Sequence, residues 1–143
     1  MNGKNENLKN EVWNHFKDVQ SIFLATCDGK KARVRPVTLI YFNDKFWIAT
    51  GANDAKIKQL KDNNNIEFCL MLEENESRGY IRGAGAANIV QDNGTKKLLA
   101  DNIPFFKDVW KDSEDPDFAL LEIAIQEIEY MKPGKFEAER FSL

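Results

Sequence analysis

The chain has 143 residues, of which 43% are hydrophobic and 11% aromatic, enough to fold around a buried core. Its formal charge is −3, from 20 basic and 23 acidic residues, which argues against the strongly basic surface that nucleic acids require. No run approaches the ~18 apolar residues of a membrane-spanning helix, and the polar N-terminus has no secretory signal core. We therefore expect one cytoplasmic domain over residues 1–143, with neither a nucleic-acid nor a membrane partner.

Hydrophobic periodicity predicts two helices and three strands in the first half of the chain. Turn signals such as Asp28-Gly29 separate them. The predicted elements are a helix at 7–18, strands at 21–27, 32–42 and 46–50, and a helix at 54–62.

The second half continues with short strands and inserted helices. Its predicted elements are strands at 66–72 and 78–90, helices at 96–102 and 103–110, strands at 118–125 and 127–131, and a tail at 132–143. Gly83 and Gly85 lie within a predicted strand, where small residues permit close backbone approach or a bend at a barrel corner. The pattern predicts a mainly β (α+β) fold, an antiparallel β-barrel with an N-terminal helix and inserted helices.

Nucleophilic and metal-binding residues form no catalytic set in this sequence. Cys27 and Cys69 lie in apolar strand runs, which predicts buried, reduced thiols. His15 is the one histidine, so we expect no His/Cys metal site. No serine has a local hydrolase signature. The catalytic residues are therefore unknown, and if the protein is an enzyme, we expect a cofactor to supply the reactive group.

Two arginines mark the strand predicted at 32–42. Arg33 and Arg35 are two residues apart and share one face of it, either as a solvated face or as an anion-binding pair. Pro36 cannot donate a hydrogen bond to a neighbouring strand, so the strand has an edge, a bulge or another close neighbour at this point.

A second candidate anion site follows one hairpin later, where a strand ends and a helix begins. Thr50 offers a hydroxyl, the following backbone N–H groups can face an anion, and Asn53 is a candidate N-cap. Lys56 falls in the first helical turn, where the helix dipole is already positive, so a bound anion would favour it. We expect Lys58 to be a solvated surface residue. Arg35, Thr50 and Lys56 together predict a phosphate site.

Aromatic residues cluster near the predicted helix at 103–110. Trp110, with Phe105 and Phe106, would form either a flat wall against an aromatic ligand or ordinary core packing.

At these residues the chain resembles the pyridoxamine 5'-phosphate oxidase-like family of FMN-binding split barrels, and more closely its short bacterial general-stress-protein branch. The resemblance covers about residues 10–131, and it depends on the order and spacing of several weak motifs. These are Arg35-Pro36-Val37-Thr38, Trp47-Ile48-Ala49-Thr50, Lys56 with Gln59-Leu60, the segment 81–86, the stretch from Phe105 to Trp110 with Asp115-Pro116-Asp117, and Glu129-Tyr130-Met131.

The resemblance implies a split β-barrel homodimer with FMN at the subunit interface. In such proteins the strand matching Arg35–Thr38 lies along the flavin ring and ribityl chain, and its arginine reaches the phosphate. The residues matching Ala49-Thr50 and Lys56 complete the phosphate site. The partner subunit covers the ring, and Trp110 is the candidate for that contact. Arg78 stands where the family's oxidases carry a flavin-contacting glutamine.

Two departures from the family pattern change what is expected. Ala55 occupies the place of a second basic residue found in many of the oxidases, and Arg33 is the candidate substitute. The oxidases also carry a longer C-terminal region with basic residues for the substrate phosphate, and Arg140 alone does not restore that site here. We therefore do not expect vitamin B6 oxidation.

Three functions stay open at this point, and whether the protein is an enzyme is uncertain. It could be an FMN-dependent oxidoreductase that passes electrons from a reduced nicotinamide to an unknown small-molecule acceptor. It could be a flavin-binding stress or sensor module without turnover. It could also be a split barrel that holds haem or a deazaflavin, although the placement of His15 argues against histidine-ligated haem.

Overall fold

The structure is a computed structural model that describes residues 3–143. These residues contain seven antiparallel strands and four helices. Met1 and Asn2, which the predicted domain also includes, lie outside the described residues. The elements are α1 (Gly3–Trp13), β1 (Val19–Asp28), β2 (Lys31–Phe42), β3 (Lys45–Gly51), α2 (Ala55–Asp62), β4 (Asn65–Glu74), β5 (Ser77–Ile89), α3 (Asn93–Asn102), α4 (Phe106–Val109), β6 (Phe118–Met131) and β7 (Glu139–Ser142).

The strands form one sheet that closes into a barrel. Their order is β3-β2-β1-β4-β5-β6-β7, and β3 also pairs with β6, which joins six strands into a ring and leaves β7 outside it. Ring closure removes most of the free edges that an open sheet would expose. The predicted mainly β, antiparallel barrel fold is confirmed.

The barrel is split between β2 and β3. β2 pairs with β1 along ten positions, but it pairs with β3 only from Ile40 to Phe42. β3 pairs with β6 instead, from Phe46 to Gly51. Within the described residues, the outer edge of β2 from Lys31 to Leu39 therefore has no strand neighbour. Pro36 lies on this stretch, where a residue without a backbone N–H can be accommodated. The edge predicted at Pro36 is confirmed.

Two hydrophobic cores hold the barrel and its helices together. The first fills the barrel interior, and α1 packs against it through Val12 and the aromatic contacts of Trp13 and Phe16 with Phe46. The second lies outside the barrel, where α3 and α4 cover the outer face of β3 and β6; its central residues are Ile40, Trp47, Leu99, Phe106, Phe118 and Leu120. The inserted helices thus bury a sheet face that would otherwise be exposed.

Close backbone approach explains the small residues of β5. A side chain on Gly85 would overlap the Ala124 carbonyl oxygen, and one on Gly83 would overlap the Phe68 ring. The pairing of β5 with β6 shifts register between Ala84 and Gly85, so β6 carries an extra residue, Gln126, at this point. The predicted close backbone approach is confirmed at this segment.

Several element boundaries differ from the sequence prediction. α1 spans Gly3–Trp13, although the helix was predicted at 7–18, and α4 spans only Phe106–Val109 of the helix predicted at 103–110. The two closing strands predicted at 118–125 and 127–131 are one continuous strand, β6, because the extra residue Gln126 forms a bulge within it. The predicted tail contains β7, which pairs with β6 and buries Phe141 in the first core.

Both cysteines are free thiols, as predicted, although each is half buried where full burial was expected. None of the described helices has the length and apolar character to span a membrane.

Candidate anion-binding site

Arg35 reaches from the open edge of β2 to helix α2. Its guanidinium donates hydrogen bonds to the Thr26 hydroxyl (2.8 Å) and to Gln59 Oε1 (3.0 Å), with a longer one to the Leu24 carbonyl (3.3 Å). Thr26 in turn donates to Gln59 Oε1 at 2.6 Å. These contacts fix the guanidinium beside α2, one helical turn beyond Lys56.

The partners of Arg35 are all uncharged. Across residues 3–143, no carboxylate oxygen lies within ion-pair distance of its guanidinium, whereas Arg33, Lys45, Lys56, Lys97, Arg82, Lys132 and Arg140 each have such a partner. Arg35 is half buried, and burial lowers the pKa of its guanidinium. A partly buried cation with neutral partners is the kind of group that a bound anion stabilises.

A second set of donors converges at the start of α2 on one oxygen atom. Oδ2 of Asp54 accepts hydrogen bonds from the Thr50 hydroxyl (2.9 Å), from Lys56 Nζ (3.0 Å) and from the Gly51 backbone N–H (3.3 Å). These bonds, with that from Lys56 the largest contribution, lower the pKa of the Asp54 carboxyl. The three groups therefore already hold one negatively charged oxygen.

Asp54 is the N-cap residue of α2 but does not cap it with its side chain. Its carboxylate turns away from the helix and makes no side-chain cap hydrogen bond. The first backbone N–H groups of a helix have no intrahelical partner, so those at the start of α2 stay available to a ligand. Asn53, the N-cap expected from the sequence, lies one residue earlier.

The other residues predicted for the phosphate site lie around these two sets. Ala49 directly precedes Thr50 on β3, and Val37 and Thr38 continue β2 beyond Arg35. The Arg33 side chain is half exposed and pairs with Asp28 across the β1–β2 turn (3.3 Å). Asp28 borders the same small cavity as Ala55 of α2. Lys58 is exposed, as predicted.

Two predicted flavin contacts lie outside both sets of donors. Trp110 is 7% exposed within the second core, and its indole N–H donates to the Asp117 carbonyl, so the residue packs the protomer that contains it. Ala86 on β5 pairs with Asn65, the first residue of β4 after α2. Arg78 lies eight residues before Ala86 on β5, so the two residues are about 26 Å apart along the strand. Within one protomer Arg78 therefore cannot join the α2 site.

Three residues of the site have no strong sequence signal of their own. Thr26 lies on the inward face of β1 with Ile22 and Leu24, where its position favours an apolar residue. Gln59 is one turn after Lys56, a spacing that shows only that they share a helix face. Asp54 precedes a helix, where acids are common for reasons unrelated to ligands.

The fold and these residues define a family. A family profile described as pyridoxamine 5'-phosphate oxidase like matches residues 7–138. The chain belongs to the pyridoxamine 5'-phosphate oxidase-like family, as the sequence motifs indicated. A search of curated proteins finds no match.

Solved structures share this fold over most of the chain. A NimC/NimA family protein from Clostridium acetobutylicum is 26% identical, with all of both chains covered and a TM-score of 0.76. General stress protein 26 from Bacillus anthracis is 23% identical, with 95% of this chain and 98% of that chain covered and a TM-score of 0.74. A heme binding protein from Mycobacterium smegmatis is 12% identical, with 87% of this chain and 53% of that chain covered and a TM-score of 0.72.

The described residues offer no metal centre. No group of three or more His, Cys, Asp or Glu side chains in residues 3–143 is arranged to hold an ion.

Proposed function

We propose that this protein is an FMN-binding homodimer and acts as a flavin-dependent oxidoreductase whose substrate is unknown. The observation that carries the proposal is Arg35, a half-buried cation without a carboxylate partner, beside a helix start where Thr50, Gly51 and Lys56 already hold an oxyanion. Family membership supports a flavin as the ligand.

The residues at the split fit the phosphate end of FMN. An arginine fork, a hydroxyl, a lysine and backbone N–H groups are the donors that proteins use for phosphate oxygens. Arg35, Thr50 and Lys56 would hold the phosphate. The open edge of β2 from Pro36 to Thr38 has unpaired backbone groups suited to the polar atoms of a flavin ring. Arg33 pairs with Asp28 and would have to leave that carboxylate to replace the basic residue missing at Ala55.

When bound, FMN would supply the redox chemistry, because its ring can accept and return electrons. The residues named here bind and orient the cofactor.

An apolar sheet face supports the homodimer. Phe23 on β1 is paired with Pro36 on β2 and with Cys69 on β4, and all three side chains point away from the barrel interior. Val34 is 69% exposed on the same face, and Met71 is 56% exposed. Contiguous exposed apolar surface of this kind marks interaction sites. Because the face adjoins the open edge of β2, a second copy packed there would lie next to the proposed flavin.

Val34→Asp should convert the dimer into monomers. Burying an unpaired carboxylate at the interface should weaken association about 100-fold, and sedimentation velocity at micromolar concentration measures it. Val109→Asp is the matched control, since Val109 is 59% exposed on α4, away from this face. If both variants sediment like the wild type, the face is not the interface.

A haem-binding function is the second candidate, favoured by the structural similarity to the heme binding protein from Mycobacterium smegmatis. The one histidine argues against histidine ligation at the split. His15 Nε2 lies 3.3 Å from the hydroxyl of Tyr130, whose side chain is buried in the first core. Haem would therefore need another ligand.

Colour distinguishes these functions most directly. Purified protein incubated with FMN should retain a flavin spectrum after gel filtration. Protein that retains no flavin absorbance after incubation with FMN, but shows a Soret band after incubation with haem, would contradict the proposal. Anaerobic mixing with NADH or NADPH then separates an enzyme, whose flavin absorbance bleaches within seconds, from a binding module, whose absorbance persists.

A further inference from the structure

Asp54 occupies the place that a ligand oxygen should take. The hydroxyl of Thr50, the N–H of Gly51 and the ammonium group of Lys56 all donate to its Oδ2 atom. Two of these residues were predicted from the sequence to bind phosphate. The Thr50 hydroxyl and the Gly51 N–H have one hydrogen each, so they cannot donate to an internal carboxylate and to an external phosphate at the same time.

The two members of the Asp54–Lys56 pair differ in their exposure. The Lys56 side chain is 10% exposed, so without a counter-charge its ammonium group would be buried and unpaired. The Asp54 side chain is 53% exposed and has no cap hydrogen bond to the helix. The aspartate can therefore rotate into solvent, while the lysine stays where it is.

We propose that Asp54 is an exchangeable internal counter-ion, which neutralises Lys56 in the ligand-free protein and must leave when a phosphate group binds. This inference depends on the proposed function for the identity of the cofactor, but its chemistry concerns any phosphate at the start of α2. A phosphate that displaces Asp54 gains Lys56, Thr50 and the Gly51 N–H, and it lies one helical turn from Arg35.

Asp54 should therefore weaken phosphate binding, because only the fraction of molecules with the carboxylate turned away is competent to bind. The same residue stabilises the ligand-free protein. These two effects have opposite signs, and a residue with a purely structural role would not show both. Asp54 thus sets how readily the protein releases its cofactor.

Asp54→Asn tests the proposal because it removes the charge and preserves the shape. After removal of any bound flavin, the variant should bind FMN about tenfold more tightly in a fluorescence titration. Binding of riboflavin, which lacks the phosphate, should not change. The ligand-free variant should also unfold at a lower temperature than the wild type. Asp62→Asn, at the far end of the same helix, makes the same charge change and should alter none of these.

The outcomes separate this inference from the proposed function. If the wild type binds FMN and Asp54→Asn binds it no more tightly, the inference is overturned and the proposed function stands. If neither protein binds FMN, the proposed function fails, and inorganic phosphate becomes the probe. A larger phosphate-induced rise in melting temperature for Asp54→Asn than for the wild type would then support the inference. An equal rise would overturn it.

Discussion

Lys56→Ala and Arg35→Ala should each weaken FMN binding by roughly 10- to 100-fold, because each removes a charge-assisted hydrogen bond to the phosphate. Binding of riboflavin should change little, since riboflavin has no phosphate for these residues to hold. Parallel fluorescence titrations with the two ligands measure the difference.

Lys58→Ala is the control for this experiment. It removes the same charge from the same helix, two residues away, where the side chain is exposed. FMN binding by this variant should stay near the wild-type value. Because Lys56 is buried, Lys56→Met keeps most of its packing and shows whether a loss in Lys56→Ala comes from disturbed folding. Equal losses for FMN and riboflavin would mean that Arg35 and Lys56 merely support the fold.

Gly85→Ala should lower the free energy of unfolding by about 2–4 kcal/mol. The added methyl group would overlap the Ala124 carbonyl oxygen and lie 3.1 Å from Ile125 Cα. Both are backbone atoms of β6, which cannot rotate away, so two central strands must separate. Urea denaturation followed by circular dichroism measures the change.

Gly94→Ala is the matched control for Gly85→Ala. Gly94 lies in α3, where an added methyl group would meet only the Asp92 carboxylate, at 3.5 Å. Alanine favours a helix over glycine by up to about 1 kcal/mol, so this variant should be as stable as the wild type or more so. A Gly85→Ala variant with an unchanged midpoint would show that β5 and β6 have room at the register shift.

Sequence patterns predicted the barrel because its strands alternate and its turns carry strong signals. They failed where a tertiary contact decides the outcome. The β7 segment is too short and charged to be read as a strand, and it becomes one because Phe141 enters the first core and Glu129 binds Arg140. The bulge at Gln126 breaks the alternation of β6, so the pattern suggested two strands.

The cations of the candidate site have local sequence signals, but the residues that contact them do not. A lysine in the first turn of a helix and an arginine beside a proline are local signals, and the structure places both side chains against α2. Thr26 and Gln59 contact Arg35 only after the chain has folded, across 9 and 24 residues of sequence. The use of Asp54 as the counter-ion of Lys56 depends on a side-chain rotation that sequence does not encode.

The short strand β7 has a consequence for aggregation. β6 is covered on one edge by β5, and on the other by β3 over its first half and by β7 from Glu127 to Tyr130. The central strand of the barrel thus presents almost no free edge to a neighbouring molecule. The outermost strand is only four residues long and carries Glu139 and Arg140, and short, charged edges resist the addition of further strands. β7 therefore protects the second half of β6 from strand addition, whereas the open edge of β2 keeps its unpaired backbone groups.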